Sequence, residues 1–261
     1  MYIYILMADN THITKLPNAP LQEVIFELRW KLNFDISAQS QVDQQFQFAF
    51  ANFSALSANK LKYKIMIKPS VVPDSFFINR PIYQFWIEKD QYPVFQLGPG
   101  VFTVNETEKN YEWKNFRTSI LEGVEWLTKS YNEQLDFSVA ELRYIDAIEV
   151  NDDSDKDLLK FIADNLKIEI KNQVIEEKLM DFQLHQRFKI DSENYLNLLL
   201  TNGIKNRNQS KAIILQTSYN KASDISLASL TAWIDAAHDT CSSVFRKMTS
   251  NNLYEQFSKT N

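Results

Sequence analysis

The sequence has little of the chemistry on which most enzymes and metal proteins depend. Its 261 residues include one cysteine, three histidines and four glycines. One cysteine excludes a disulfide within this chain, which predicts a reducing, cytoplasmic location. The histidines and the cysteine do not have the spacing of metal ligands, so we expect no metal and no cofactor. No apolar run approaches the ~20 residues needed to span a bilayer, so we expect no membrane partner.

An excess of basic residues is also lacking. Lysine and arginine number 28 against 33 aspartate and glutamate, which gives a formal net charge of −5. Proteins that bind nucleic acids usually present a basic surface to the phosphates, so the composition argues against such a partner. Apolar residues, in contrast, make up 44% of the chain and include eighteen phenylalanines. That content is typical of a globular protein with a substantial core.

The scarce glycines mark the centre of the first half. Two of the four flank a proline in Gly98-Pro99-Gly100. Because glycine tolerates positive φ and proline fixes φ, this segment predicts a tight reversal between two strands. Runs of β-branched and aromatic residues lie on both sides of it, at 82–87, 94–97 and 101–105. The pattern predicts an antiparallel meander.

Hydrophobic periodicity gives the same order of elements in both halves of the chain. Alternation predicts a half-buried strand at 21–32, and three–four spacing predicts helices at 38–56 and 113–131. In the second half the predicted strands and helices are a strand at 137–150, a helix after the acidic run 152–155, strands at 175–190, 195–201 and 211–219, and a helix at 227–248.

One offset of 114 residues aligns the two halves, and it places Glu27-Leu28-Arg29 on Glu141-Leu142-Arg143. We therefore predict an α+β fold made by tandem duplication of a β-α-β-β-β-α unit, with long helices on one face of a curved antiparallel sheet. Its topology resembles the TATA-binding-protein repeat, a likeness that carries no function. The predicted division is a mobile segment 1–15, a first repeat 16–133 and a second repeat 134–261, packed as one pseudo-symmetric unit. We expect the native start at Met7, with residues 1–6 as upstream sequence.

A two-fold axis between the repeats predicts a specific strand pairing. If the first strands pair antiparallel with Leu28 opposite Leu142, Glu27 lies opposite Arg143 and Arg29 lies opposite Glu141. Opposite charges on neighbouring strands would then fix the register.

The candidate binding residues all occupy polar positions of predicted strands, which would place them on the open face of the sheet. They are Glu27, Arg29, Glu141, Arg143, Gln183, His185 and Arg187. Such a set could bind an anionic ligand or support acid–base chemistry, but the solvated face of any antiparallel sheet has the same pattern. His238 and Cys241 share one helix at i, i+3. A buried thiol beside a helix side chain is the favoured interpretation there, over a nucleophile and its base.

Several motifs resemble a sporadically distributed, functionally uncharacterised bacterial family of about this length. They are LPNAPLQEVIFELRW at 16–30, QLGPG at 96–100, YEWKNF at 111–116, LRYID at 142–146, and the closing AH and FRKMT at 237–238 and 245–249. The resemblance supplies no catalytic or binding residue. The patchy distribution of the family implies a mobile-element, phage-defence or toxin–antitoxin locus.

The sequence therefore predicts a non-catalytic, cytoplasmic binding protein that recognises a protein partner through its sheet face or edge. A second copy of the chain is a further candidate partner. The alternative is a binder of a small anionic ligand or nucleotide, or an enzyme acting on one, that uses the polar face around Arg143 and His185.

Overall fold

Alternating apolar and polar side chains build the strands of this protein, and three–four spacing builds its helices. A computed structural model describes residues 16–36, 39–107, 109, 111–150, 158–171, 174, 179–205 and 210–259. Predictions for 1–15, for 152–155 and for 175–178 lie outside these residues. Of the strand predicted at 175–190, the described residues form a strand only over Gln183–Lys189. The elements are β1 (Leu21–Trp30), β2 (Asn33–Asp35), β3 (Ser40–Val42), α1 (Phe46–Ser57), β4 (Tyr63–Met66), β5 (Tyr83–Glu88), β6 (Gln91–Gly98), β7 (Val101–Thr107), α2 (Trp113–Ser130), β8 (Phe137–Glu149), α3 (Leu158–Leu166), β9 (Gln183–Lys189), β10 (Asn194–Lys205), β11 (Ser210–Lys221), α4 (Leu227–Met248) and α5 (Asn251–Ser258).

Nine of these strands form one antiparallel sheet, in the order β4-β5-β6-β7-β1-β8-β11-β10-β9. The two strands β2 and β3 form a separate hairpin. Helix α2 packs on β6 and β7, and α4 packs on β8 and β11. Val104 of β7 lies opposite Phe26 of β1, which lies opposite Leu142 of β8, which lies opposite Tyr219 of β11. Residues that lie directly opposite each other point to the same face, so the buried side chains of these strands share one face of the sheet, and both helices cover it. The prediction of a mixed fold with a large antiparallel sheet is confirmed.

The predicted reversal at Gly98-Pro99-Gly100 joins β6 to β7. Gly98 pairs with Val101 across the turn, and Gly100 has a φ of +79°, which favours glycine. A Cβ atom on Gly98 would lie 1.9 Å from the carbonyl oxygen of Arg80. Both glycines are therefore required by the local backbone.

Strands β1 and β8 pair antiparallel at the centre of the sheet, but the predicted register is wrong. Phe26, and not Leu28, lies opposite Leu142, and Leu28 lies opposite Ala140. Glu27 consequently faces Glu141 directly. A shift of two residues keeps every side chain on its own face, so the apolar alternation that predicted the strands could not distinguish the two registers.

The first helix is shorter than its apolar stripe predicts, because Asp43 fixes the chain before it. The Oδ2 atom of Asp43 accepts hydrogen bonds from Trp30 Nε1 (3.1 Å), Tyr131 Oη (2.8 Å) and the Gly100 amide (3.2 Å). Helix α1 then begins at Phe46, and the preceding residues form the β2–β3 hairpin. Both this hairpin and α5 are absent from the prediction.

Candidate functional site

The structure places all seven sequence-predicted residues on the open face of the sheet, but it does not bring them together. Arg187 of β9 and Arg143 of β8 lie on one line across the sheet, because Arg187 lies opposite Asn197, Asn197 opposite Ser218 and Ser218 opposite Arg143. Two strands, β10 and β11, separate β9 from β8. At about 4.8 Å per strand, this separation is about 14 Å. Gln183, His185 and Arg187 therefore lie apart from the other four residues.

The four residues on β1 and β8 form two ion pairs, each within one strand. Arg29 Nη2 lies 2.5 Å from Glu27 Oε1. Arg143 holds Glu141 through two contacts, Nη2–Oε2 at 2.5 Å and Nε–Oε1 at 3.1 Å. Burial by itself would lower the pKa of Arg143, but the hydrogen bonds to Glu141 and the negative charges of Glu141, Glu27 and Glu23 together outweigh burial and raise that pKa. The predicted cross-strand pairs are wrong because each arginine neutralises the carboxylate two residues before it.

The three residues on β9 have the features of a solvated edge. Their side chains are exposed. The Nε atom of Arg187 donates to Asn197 Oδ1 at 3.0 Å, and the guanidinium stacks on the Tyr195 ring. Contacts of this kind are ordinary on the outer face of an antiparallel sheet.

The opposite face of the sheet contains a cavity of 470 Å³ that the sequence did not predict. It lies between the inward side chains of β8 and β11, the start of α2, one side of α4, α5 and the segment 16–21. The polar groups that line it are Tyr111, Tyr144, Asp146, Thr217, His238, Cys241, Ser242 and Tyr254, with Glu112, Lys114 and Arg246 as the charged residues of the flanking helices.

Asp146 is the most unusual residue of this cavity. It is 6% exposed, and its neighbours on the two adjacent strands are Leu21 and Leu215. No described residue forms a hydrogen bond or an ion pair with its carboxylate. Burial therefore raises the pKa of Asp146 to about 7. A carboxyl group with this pKa can hold or release a proton near neutral pH.

Thr217 is a second polar group without a partner. It lies opposite Tyr144 on the adjacent strand, it is 1% exposed, and its Oγ1 atom has no hydrogen-bond partner among the described residues. A buried hydroxyl left unpaired destabilises a protein by about 1–3 kcal/mol, and most buried polar atoms are paired. Asp146 and Thr217 thus present two unsatisfied groups to the same cavity.

A chain of neutral aromatic groups forms another part of the wall. Tyr111 Oη lies 2.9 Å from Tyr144 Oη, which lies 2.7 Å from His238 Nδ1. The imidazole stacks on Trp113 with ring centroids 3.9 Å apart. Burial lowers the pKa of His238 to about 4 and raises the pKa of both tyrosines, so all three groups are neutral at pH 7. These groups can orient a ligand but do not supply it with charge.

Cys241 lines the cavity without the features of a nucleophile. Its side chain is buried, and burial raises the pKa of its thiol, so the reactive thiolate is not formed near pH 7. The hydrogen bond of His238 goes to Tyr144. The geometry therefore agrees with the buried-thiol interpretation of the Cys241–His238 pair.

No family model, curated protein or solved structure matches this chain. The family resemblance of its motifs stays a prediction. In the part of the chain that the structure describes, no three His, Cys, Asp or Glu side chains cluster as metal ligands would. None of the described helices is both long and apolar enough to cross a bilayer.

One sequence signal could have revealed the cavity. Leu142, Tyr144 and Ile148 occupy inward positions of β8, and Asp146 occupies the inward position between the last two. A carboxylate at an apolar position of an amphipathic strand is rare without a partner. Tyr111, Trp113 and Thr217 come from distant segments, and only the fold places them near it.

Proposed function

We propose that this protein binds a small molecule in the cavity lined by Asp146 and Thr217. The observation that carries the proposal is that two buried polar groups, neither of which has a partner among the described residues, face one cavity. Ligand sites are typically clefts of about 300–1,000 Å³ with mostly apolar walls and a few convergent polar groups. Because the buried Cys241 thiol is protonated and His238 is neutral, binding is better supported than covalent catalysis.

The test is a saturation-transfer NMR screen with a set of small aromatic fragments. Ser242 lines the cavity, so Ser242→Trp should fill it and remove the signals of fragments bound there. Ser243→Trp, one residue further along α4 and outside the lining, is the matched control. We expect fragments that bind the wild type and Ser243→Trp but not Ser242→Trp.

A second cavity-filling variant protects this test against misfolding. Ala19 lines the cavity from the segment before β1, and Ala19→Trp should block the same fragments. Thermal melting of each variant checks that it is folded. The proposal is wrong if folded Ser242→Trp and Ala19→Trp bind the same fragments as the wild type.

A specific observation also supports the protein partner that the composition favours. The side chains of Phe34, Phe48 and Phe76 are 64–77% exposed. The segments that carry them adjoin one another, since the β3 strand contacts the 3₁₀ turn at Asp74–Phe77, and Gln47 Nε2 donates to Asp74 Oδ2 at 2.6 Å. Exposed aromatic side chains grouped in this way are typical of protein interfaces.

Capture from extracts of the source organism tests this second proposal. Wild-type protein should retain a partner that the double variant Phe48→Ser/Phe76→Ser loses. Mass spectrometry of the retained protein distinguishes a second copy of this chain from another protein. Phe188→Ser, which removes an exposed phenylalanine from β9, is the control. If the double variant and the control retain the same proteins as the wild type, the aromatic patch is not a docking surface.

We further propose that the chain arose by duplication. Supporting this, β1 and β8 are neighbours at the centre of the sheet. Each half also has a meander that leads back to its own first strand, β5-β6-β7 beside β1 and β9-β10-β11 beside β8. Strand β4 has no counterpart among the described strands of the second half. The likeness to the TATA-binding-protein repeat rests on this topology alone.

A further inference from the structure

We infer that the ligand of this cavity is a small amine, whose cationic nitrogen pairs with the Asp146 carboxylate while its apolar body contacts the aromatic wall. The inference rests on the proposed function, because it names the ligand class for the same site. It is carried by the charges that face Asp146 and by the chemistry of the surrounding side chains.

The first step concerns charge. Besides Asp146, the titratable side chains that line the cavity are those of Tyr111, Tyr144, Tyr254, His238 and Cys241. Of these, Tyr111, Tyr144, His238 and Cys241 have shifted pKa values that leave them neutral at pH 7. The charged residues of the lining come from α2 and α4, and they are Glu112, Lys114 and Arg246. None of them forms an ion pair with Asp146 in the part of the chain described. Among the described residues no cation pairs with this carboxylate, and we assign that role to the ligand.

The second step concerns the walls. Aromatic rings attract a cation through the negative potential of their faces, and Tyr111, Trp113, Tyr144 and Phe245 all line the cavity. Leu16, Pro20 and Leu21 add an aliphatic surface. A carboxylate among aromatic and aliphatic side chains is complementary to an ammonium group on an apolar body.

The third step concerns the anionic alternative. A carboxylate or phosphate ligand would meet the negative charge of Asp146 in a poorly solvated site, where repulsion is strong. The hydroxyl of Thr217 can donate a hydrogen bond to a ligand or accept one from it, so it does not discriminate between anionic and cationic ligands. Lys114 and Arg246 also line the cavity, but both are exposed residues of the flanking helices. Close to Asp146, once its carboxylate is ionised, the cavity therefore disfavours the anionic ligand or nucleotide that the open face suggested.

The inference requires a defined pH dependence. Binding of a cation favours the ionised form of Asp146, so amine affinity should rise with pH until the carboxylate is fully ionised near pH 7–8. Below that range the affinity should fall about tenfold per pH unit, because each bound amine then requires release of a proton. His238 does not contribute, since its pKa is about 4 and it stays neutral over this range.

The experiment compares three probes of similar shape, namely 2-phenylethylamine, 2-phenylethanol and 3-phenylpropionate. Their dissociation constants are measured by saturation-transfer NMR on wild-type protein, Asp146→Asn and Ser242→Trp, at about pH 8 and about pH 5.5. We expect the amine to bind wild type at least about tenfold more tightly than the alcohol, and to lose this advantage in Asp146→Asn and at low pH. The comparison of the two pH values on wild type tests the role of Asp146 even if Asp146→Asn does not fold.

Two different failures are distinguishable. If the alcohol or the carboxylate binds as well as the amine, and Ser242→Trp blocks it, the cavity is a ligand site but the amine inference is wrong. The same conclusion follows if Asp146→Asn binds the amine as tightly as wild type. If Ser242→Trp leaves the binding of every probe and every fragment unchanged, the proposed function itself is wrong.

Discussion

Strand β8 carries two largely buried carboxylates on its opposite faces, and their surroundings differ. Glu141, whose side chain is 12% exposed, is held by two contacts from Arg143 on the same strand. Asp146, five residues later, has leucines as its cross-strand neighbours and no described partner. A buried charge that is paired within the chain has its desolvation compensated by its partner. A buried charge without a partner destabilises the protein unless a bound ligand pairs with it. The difference favours a structural role for Glu141 and agrees with the binding role that we propose for Asp146.

The largest expected effect is the pH dependence caused by Asp146. Its pKa is about 7 in the folded protein and about 3.9 when unfolded, so the folded state binds more protons between these values. Stability should therefore fall as pH rises from about 4 to about 7, by up to about 4 kcal/mol. Urea unfolding across this range should show the fall in wild type and its loss in Asp146→Asn.

Asp191 provides a control of opposite sign for this titration. Its carboxylate accepts hydrogen bonds from Asn194 and from the backbone of Glu193, which lower its pKa. Its contribution to stability is present above the unfolded pKa and is lost as pH falls. Asp191→Asn should thus leave the fall between pH 4 and pH 7 in place. If it removes that fall, the assignment to Asp146 is mistaken.

The next largest effect concerns the paired carboxylate. Arg143→Met would leave Glu141 largely buried, unpaired and opposite Glu27, and should lower the free energy of unfolding by about 3 kcal/mol. The double variant Glu141→Gln/Arg143→Met should recover most of that loss, because it removes the stranded charge. Chemical denaturation of the three proteins measures both changes. A single variant as stable as wild type would remove the distinction between the two carboxylates.

A smaller effect is expected from the unpaired hydroxyl. Thr217→Val keeps the shape of the side chain and removes an unsatisfied buried group, so it should raise the free energy of unfolding by about 1 kcal/mol. Thr201 Oγ1, in contrast, donates to the Phe182 carbonyl at 3.0 Å. Thr201→Val should therefore be destabilising by about 1 kcal/mol. Thermal melting of both variants should show shifts of opposite sign.

The smallest effect belongs to the sheet edge. His185→Ala removes an exposed side chain from β9 and should change stability by less than about 0.5 kcal/mol. Binding of 2-phenylethylamine should be unaffected, because the residue lies on the other face of the sheet from the cavity. A clear loss of probe binding in this variant would return the β9 residues to consideration as a ligand site.

Sequence patterns predicted the elements better than they predicted the distances between residues. Alternation placed Glu27 and Arg143 on the correct face of the sheet. The backbone preferences of glycine and proline correctly predicted the turn at Gly98-Pro99-Gly100. The two-residue shift between β1 and β8 was invisible to alternation, since both registers bury the same side chains. The start of α1 depended on hydrogen bonds from three distant segments to Asp43, which no local pattern contains.

The candidate cavity was less predictable for a related reason. Asp146 departs visibly from the apolar pattern of β8, but its lack of a partner is a property of the assembled fold. His238 and Cys241 are neighbours on one helix, which drew attention to that pair. The hydrogen-bond partner of His238 is instead Tyr144, 94 residues away in the chain. A site built from six segments of the chain has no spacing that a sequence motif could express.

The central pairing of β1 with β8 has a consequence for how the chain folds. Glu27 and Glu141, opposite each other in this ladder, are separated by 114 positions in the chain. Closing so long a loop is entropically unfavourable, and pairings between distant segments slow folding. A fragment ending before β8 would expose all of β1 as an unpaired edge, the arrangement that promotes aggregation. We therefore expect the two halves to unfold in one transition, and neither half to stay soluble when it is produced alone.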